Sequence, residues 1–474
     1  MTSPRTRPSF IRSFLGRKSS PHLSSSYVDT AGAEQVANSR RNTFPPDAAI
    51  ETGLPLDIWY IIAHDHLVNS PDTIAALCLT CRHLNHVLGF LKYRQVSIRL
   101  TVCTPYKEGS AKSPAEIFAE KLQKHQGIID HLELLRIRQG EDGELHALHA
   151  SPNKEQMALC DILSQQYPIL KGFVLSVKCA TTFPSIVLKA VRSCFCRPSL
   201  STISFLDFIP VELINELGRH NHTLNLVGRL PSPMTVQNST DIRGQYAPRT
   251  LRIAHEHTAR SLFFINQQPM LSLERLSSLA LKASAGYLPI DITNSSGFCS
   301  STLMDFMILF TGWDVARDPV TLFLGQYAAL KTLSLDFTTF TAGQRTIRQG
   351  LQWVMDALST FIDIEPPPRL ESLSYNLTIG SLHLESNWNV HIKSISWCSF
   401  QTLFSPDWIS LRWPALRYIF VNIKGIHGTD HSNCLLIKQV LHSKMIELVQ
   451  TGHLTLSVLN SSMDAEFDDW LSIQ

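Results

Sequence analysis

The run Leu330-Lys331-Thr332-Leu333-Ser334-Leu335 carries the pattern that decides the fold: an apolar residue, two others, an apolar residue, one other and a third apolar residue. The last two apolar residues alternate as in a β-strand, and the first can close the turn that leads into it. The pattern occurs in eight copies: Leu132/Leu135/Ile137, Leu170/Phe173/Leu175, Leu200/Ile203/Phe205, Leu276/Leu279/Leu281, Leu330/Leu333/Leu335, Leu370/Leu373/Tyr375, Ile392/Ile395/Trp397 and Leu416/Ile419/Val421.

Helical stretches separate these copies. The clearest has Ile347, Leu351, Val354, Leu358 and Phe361 on one face. Repeated strand–helix units predict an α/β solenoid similar to leucine-rich repeats, stacked as a right-handed, curved array. The copies are 22 to 76 residues apart, whereas regular repeats of this kind run roughly 20 to 29 residues. We therefore expect an irregular solenoid. The alternative is an ordinary α/β domain whose strands happen to begin with leucine.

Composition limits the partners and the compartment. The 474 residues are 44% hydrophobic, and 42 basic residues against 40 acidic ones leave a net charge of +2. We expect neither nucleic acid nor a membrane as partner, because no strong overall charge would attract them. The ten cysteines are too sparse for a disulfide scaffold, and no apolar run reaches the roughly 18 to 20 residues that span a bilayer. These features predict a soluble protein of the cytoplasm or nucleus.

Residues 1–50 are rich in serine, proline and arginine and predict a disordered tail. An alternative is a mitochondrial presequence, because Phe10, Ile11, Phe14 and Leu15 stand beside arginines.

Residues 51–100 contain closely spaced helix signals. Pro55 and Asp57 suit the first turn of a helix, and Ser70 suits the N-cap of a second. An apolar stripe then continues through a bend near Thr80, with members at steps of three and four: Ile74, Leu77, Cys81, Leu84 and Leu88. Ser113 to Glu116 has capping-box spacing, and Gly127 is a candidate stop for the helix that follows. The large recognition domain is expected over residues 101–474.

The runs Leu54 to Ile62 and Ala76 to Asn85 resemble the F-box, in the form with a Leu-Pro-x-Asp-Ile-Trp opening and a Leu-Thr-Cys-Arg second half. The resemblance covers about 40 of the 474 residues. It implies a short three-helix domain that docks on a Skp-type adaptor and, through it, on the cullin scaffold of an SCF-type ubiquitin ligase. The residues that match the motif are Leu54, Pro55, Ile58, Trp59, Ile62, Leu77, Cys81 and Leu84.

The first helix also has apolar residues on more than one face, including Ile58, Trp59, Ile61 and Ile62. A segment of this size cannot build an independent core. We expect a partner surface to cover part of it. The alternative is that these side chains all pack inside one fused domain.

The sequence contains only weak indications of a catalytic or metal-binding site. Cys78, Cys81, His83 and His86 offer soft ligands, but Cys81 belongs to the apolar stripe, whereas zinc-binding cysteine pairs normally lie on turns. Phosphate loops, nucleophile elbows and the His-Glu-x-x-His motif are absent from the sequence. We expect no enzyme activity, no cofactor and no metal.

Six tryptophans lie in the C-terminal third, where core packing is the expectation and client contact the alternative: Trp313, Trp353, Trp388, Trp397, Trp408 and Trp413. The sequence thus predicts a substrate-recognition adaptor that joins an unknown client protein to a ubiquitin ligase. The alternative is a repeat-based binding or scaffold protein that joins no ligase.

Overall fold

A computed structural model describes the chain in nineteen stretches. They are residues 56–67, 70–80, 84–85, 88–100, 112–139, 153–177, 184–209, 213, 217, 221–230, 246–255, 258, 271–284, 301–311, 324–339, 344–360, 368–379, 397–424 and 431–459. The chain divides into two compact units, Met1–Trp59 and Tyr60–Gln474. Only residues 56–59 of the first unit are described, so the predicted tail over residues 1–50 lies outside the described residues.

One twelve-stranded sheet dominates the second unit, and its strands follow one another in chain order. Every pairing is parallel. The strands are β1 (Gln95–Leu100), β2 (Leu134–Gln139), β3 (Gly172–Val177), β4 (Thr202–Asp207), β5 (Thr223–Leu226), β6 (Thr250–Ile253), β7 (Ser278–Ser284), β8 (Asp305–Thr311), β9 (Thr332–Thr339), β10 (Ser372–Ile379), β11 (Tyr418–Lys424) and β12 (Leu454–Leu459). The strict chain order matches the predicted stack of repeats and differs from a doubly wound sheet, in which the strand order reverses.

Helices precede the sheet and connect several of its strands. The boundary between the two units falls within α1. The α-helices are α1 (Leu56–His66), α2 (Pro71–Thr80), α3 (Pro114–Lys124), α4 (Gly127–His131), α5 (Lys154–Ser164), α6 (Ser185–Phe195), α7 (Gln344–Ser359), α8 (Cys398–Leu403), α9 (Pro406–Arg412), α10 (His431–Lys444) and α11 (Ile446–Gln450). Short 3₁₀ turns lie at Leu91–Tyr93 and Leu324–Gln326. No helix in the described part is long and apolar enough to cross a membrane.

Two rows of apolar side chains run across the sheet and form the core. Successive residues in each row are register partners, and all but the partly buried Val96 are buried. One row is Val96, Leu135, Phe173, Ile203, Leu224, Leu251, Leu279, Phe306, Leu333, Leu373, Ile419 and Leu454. The other is Ile98, Ile137, Leu175, Phe205, Leu226, Ile253, Leu281, Ile308, Leu335, Tyr375, Val421 and Leu456.

A backbone ladder holds the residues that immediately precede the strands. The N–H of Glu133 donates to the carbonyl of Arg94 at 2.9 Å, and the N–H of Lys171 donates to the carbonyl of Glu133 at 2.8 Å. The same step recurs strand by strand until the N–H of Arg417 donates to the carbonyl of Glu371 at 2.9 Å. The connections between the strands differ in length, but each strand therefore begins in the same register relative to the strand before it.

Helix α7 packs the side chain of Trp353 against the face of the sheet that carries the two buried rows. The ring of Trp353 lies 4.9 Å from that of Phe310 and 6.1 Å from that of Phe337. Phe337 also contacts Tyr375, at 5.5 Å between ring centroids. Such aromatic contacts add specific geometry to the burial of apolar area.

Seven of the eight predicted copies of the strand pattern are confirmed. Their leading residues are all buried: Leu132, Leu170, Leu200, Leu276, Leu330, Leu370 and Leu416. The eighth copy, Ile392/Ile395/Trp397, is wrong as a strand of the sheet. β10 pairs directly with β11, and Trp397 is the N-cap of α8 in a helical conformation. Ile392 and Ile395 lie outside the described residues.

The predicted irregularity is corrected in the centre of the sheet. Leu224, Leu251, Leu279, Phe306 and Leu333 are successive register partners at intervals of 27 or 28 residues. β5 and β6 fill the long gap between the copies at Leu200 and Leu276. The middle of the stack is thus a regular repeat, and the intervals from β9 to β11 are longer.

The predicted helix signals have mixed outcomes. The capping box is confirmed, because the N–H of Glu116 donates to Ser113 Oγ at 3.2 Å and the N–H of Ser113 donates to Glu116 Oε2 at 2.8 Å. Helix α2 ends at Thr80, where a bend was expected. The stop at Gly127 is wrong, since α3 ends at Lys124 and Gly127 begins α4.

Candidate binding surfaces

The face of the sheet opposite the two buried rows is partly exposed towards both ends of the sheet, whereas Val174, Ser204, Asn225 and Ala280 at the corresponding positions of β3, β4, β5 and β7 are buried. Side chains alternate across a strand, so the residues between the two buried rows point to the opposite side. On β9 and β10, for example, Ser334, Asp336, Ser374 and Asn376 are partly exposed while their neighbours in the strand are buried. We call this side the open face.

Three arginines lie close together on the open face, on the first two strands of the sheet. Arg136 and Arg138 lie two residues apart on β2, and Arg99 on β1 is the register partner of Arg138. Neighbouring strands are about 4.8 Å apart, so three long cations share a small area. We call Arg99, Arg136 and Arg138 the arginine cluster.

A hydrogen-bonded group of polar side chains occupies the open face over β9 to β11. Asn422 Nδ2 donates to Asn376 Oδ1 at 2.7 Å, and Asn376 Nδ2 donates to Ser334 Oγ at 3.2 Å and also to Asp336 Oδ1. Ser334 Oγ in turn donates to Asp336 Oδ1 at 3.1 Å. The four side chains satisfy one another and form a pre-organised polar surface.

An aromatic pair lies beside this polar group on β11. The rings of Tyr418 and Phe420 stack at 6.1 Å between centroids, and Tyr418 is 55% exposed. The two ends of the open face therefore differ in chemistry, with arginines at one end and hydrogen-bonded polar groups, which include the carboxylate of Asp336, and aromatic rings at the other.

Of the predicted docking residues, Ile58 and Trp59 belong to the described part of the first unit. Ile58 is 36% exposed, and Trp59 is half-buried. The indole Nε1 of Trp59 is buried without a hydrogen-bond partner among the described residues. Leu54 and Pro55 lie outside the described residues.

The remaining predicted docking residues belong to the second unit and are divided between core and surface. Leu84 is buried at 2% exposure, whereas Ile62 and Leu77 are half-buried. Cys81 lies outside the described residues. Ile61 of the apolar first helix is 50% exposed, and Leu79 on α2, to which the motif gives no docking role, is 81% exposed.

The described cysteines are thiols without a metal-binding arrangement. Cys78 is buried, and burial raises the pKa of its thiol. Cys194 is fully buried, and burial raises its pKa to about 11. Within the described stretches, no group of three or more His, Cys, Asp and Glu residues could hold a metal ion.

The prediction that the tryptophans are core residues is confirmed for the three whose side chains are described. Trp353, Trp397 and Trp413 are at most 3% exposed. The side chain of Trp408 is not among those described, and Trp313 and Trp388 lie outside the described residues.

The chain was compared with protein-family models and with curated proteins. No family model matches it, and no curated protein is significantly similar to it. The likeness of residues 54–62 and 76–85 to the F-box therefore stays a prediction, and a function has to be inferred from the surfaces of the molecule itself.

Proposed function

We propose that this protein is the substrate-recognition subunit of an SCF-type ubiquitin ligase, in which the open face of the sheet binds a client protein. The observation that carries the proposal is the open face itself. All-parallel sheets normally have both faces covered by helices, and their strands are apolar on both sides. Here the face opposite the buried rows carries partly exposed polar and charged side chains on β1, β2 and β9 to β11, and repeat proteins use such extended surfaces to bind partners.

The ligase half of the proposal assigns residues 51–100 to a three-helix F-box that docks on a Skp-type adaptor and thereby on a cullin. Support comes from the sequence match and from the exposure of Ile58. Burying an apolar side chain of this size contributes about 1.5 to 3 kcal/mol, so a few of them offset the costs of association.

No residue of the chain performs chemistry in this mechanism. A client held on the open face reaches the ubiquitin-transferring subunits at a raised effective concentration, because tethering replaces a bimolecular encounter by a local one. The chain would contribute only selection of the client and attachment to the scaffold.

The experiment is affinity purification of the full chain with mass spectrometry of the captured proteins. The variant Ile58→Asp/Trp59→Ala is compared with the wild type and with Leu436→Asp. Leu436 is 39% exposed on α10, close to the 36% of Ile58, and serves as the matched control. We expect the Skp-type adaptor and the cullin to be lost only from the first variant, while client proteins stay bound to both variants.

Equal recovery of the adaptor from wild type and the Ile58→Asp/Trp59→Ala variant would refute docking through this segment. Circular dichroism of each variant checks that the sheet remains folded.

A scaffold or binding protein outside any ligase is the second candidate. The observation that favours it is Leu84, a predicted docking residue that is only 2% exposed and so belongs to the chain's own packing. This candidate predicts that the wild-type chain captures clients and neither adaptor nor cullin.

A further inference from the structure

The arginine cluster places like charges opposite each other on neighbouring strands of the open face. Like charges directly opposite each other on neighbouring strands are destabilising, yet Arg99 and Arg138 are register partners and Arg136 follows on the same face of β2. Such departures from local consistency are expected at functional sites, where the cost is offset by binding.

Two carboxylates near β2, those of Glu133 and Asp207, have other partners than Arg136 and Arg138. Glu133, which precedes β2, pairs with Arg94 at 2.9 Å and with Lys171 at 3.4 Å. Asp207 on β4 accepts a hydrogen bond from Ser176. Burial, and then the neighbouring charge of Arg138, lower the pKa of Arg136.

One donor of the cluster is unsatisfied. The Nε of Arg138 is buried without a hydrogen-bond partner among the described residues, and a buried donor in that state destabilises the protein until a partner arrives. A guanidinium presents its donors as a planar fork that fits carboxylate and phosphate oxygens.

We propose that the arginine cluster is a binding site for an oxyanion-bearing side chain of a client protein, either a carboxylate or a phosphate. The proposal rests on the client-binding half of the proposed function and adds the chemistry that the client must present. Arg136 and Arg138 bind the oxyanion.

The test uses the purified full chain without any adaptor, so that its outcome is independent of ligase assembly. Fluorescence anisotropy measures binding of three labelled peptides of equal length: one with six consecutive glutamates, one with six glutamines, and one with a single phosphoserine among the glutamines. The chain is used as wild type, as Arg136→Gln/Arg138→Gln and as the control Arg249→Gln/Arg417→Gln. Arg249 and Arg417 are exposed residues that precede β6 and β11, and their replacement removes the same charge.

We expect the wild type to bind the glutamate peptide or the phosphoserine peptide and not the glutamine peptide. The Arg136→Gln/Arg138→Gln variant should weaken that binding by at least about tenfold, because it removes charged hydrogen bonds. The control should stay within about twofold, since an exposed charge contributes little. Comparing the two anionic peptides identifies the carboxylate or the phosphate as the preferred group.

Three results would overturn the proposal. The first is equal binding of the anionic and glutamine peptides by the wild type, or an equal loss in the two double variants. The second is a single-stranded oligonucleotide that binds more tightly than either peptide and depends on the same arginines. The third is peptide binding seen only after Glu141, Asp142 and Glu144 are replaced by Gln, which would assign the cluster to the chain's own acidic segment. None of these results would alter adaptor capture, so failure here and failure of ligase assembly are separate outcomes.

Discussion

Two buried tyrosines that differ in one hydrogen bond provide a sharp test of the structure. Tyr375 is fully buried, and its phenol oxygen has no hydrogen-bond partner among the described residues. Tyr246 is also buried, but its Oη donates to the carbonyl oxygen of Asn221 at 2.9 Å. Replacing each by Phe keeps the ring and removes only the hydroxyl.

The expected effects have opposite signs. A buried polar group without a partner costs about 1 to 3 kcal/mol, so Tyr375→Phe should leave the free energy of unfolding unchanged or raise it by up to about 2 kcal/mol. Tyr246→Phe removes a hydrogen bond worth about 1 kcal/mol and leaves the Asn221 carbonyl without this donor. It should lower the free energy of unfolding by about 1 to 3 kcal/mol.

The measurement is urea unfolding followed by tryptophan fluorescence, with the wild type and both variants under the same conditions. Trp353 reports on the region of Tyr375, because both rings contact Phe337. If Tyr375→Phe destabilised the protein as much as Tyr246→Phe, the assignment of an unpaired phenol at Tyr375 would be refuted.

Alkaline pH provides an independent check on the same pair. Burial raises the pKa of both phenols above the ordinary value of about 10. A raised pKa in the folded state means that the stabilisation is complete below pH about 10 and is lost as the pH rises above it. Each Phe variant should therefore lose less stability than the wild type between pH about 9 and 11, and identical pH profiles would contradict the burial of these phenols.

Three further predictions concern packing and reactivity. Gly228→Ala should lower the free energy of unfolding by about 1 to 3 kcal/mol in thermal or urea denaturation, because an added Cβ would lie 2.7 Å from the backbone of Asp207. An unchanged free energy of unfolding would contradict this close approach of the two backbones. Iodoacetamide at pH 8 should label the exposed Cys196 in the native protein and spare the fully buried Cys194, whose pKa is raised to about 11, and peptide mass spectrometry would reveal any labelling in the reverse order. Arg197→Ala should lower the free energy of unfolding by about 2 kcal/mol in urea denaturation. The buried guanidinium of Arg197 donates to the carbonyl of Leu163 in the last turn of α5 and lies 5.2 Å from the ring centroid of Tyr167. An unchanged free energy of unfolding would refute this stabilising role.

The sequence predicted seven strands, each led by a leucine: β2, β3, β4, β7, β9, β10 and β11. It missed β5 and β6 because Asn221 and Pro248 occupy the leading positions there. Asn221 is nevertheless buried, and its Nδ2 donates to the carbonyl of Leu200 at 2.6 Å, so a hydrogen bond replaces apolar contact. A search for apolar residues cannot detect that exchange.

β8 was missed for another reason. Leu303, Phe306 and Ile308 fit the pattern and are buried, but the continuous apolar run Phe306 to Phe310 hides the alternation between core and open face. The copy at Ile392/Ile395/Trp397 was predicted wrongly for the opposite reason: its apolar spacing fits the strand pattern, but no strand forms at Trp397. Trp397 is buried at the N-terminus of a helix instead.

The candidate site was harder to predict than the fold. Arg99 and Arg138 are 39 positions apart in the sequence, and only the register of β1 on β2 makes them neighbours. The near-neutral net charge of +2 gives no sign of a local cluster. The exposure of Leu79 beside the buried Cys78 was likewise hidden, because both residues are apolar and neither belongs to the predicted stripe.

The chain order of the strands also has a consequence for synthesis. Among the described residues, each strand pairs with the strand before it and the strand after it, so the partner on the N-terminal side of a new strand has already left the ribosome when that strand emerges. Repeat arrays can begin folding at one unit and extend to the next, and short-range pairing is fast compared with sheets that join distant segments. We therefore expect the sheet to grow from β1 towards β12 during translation, with the arginine-bearing end of the open face complete long before the aromatic end.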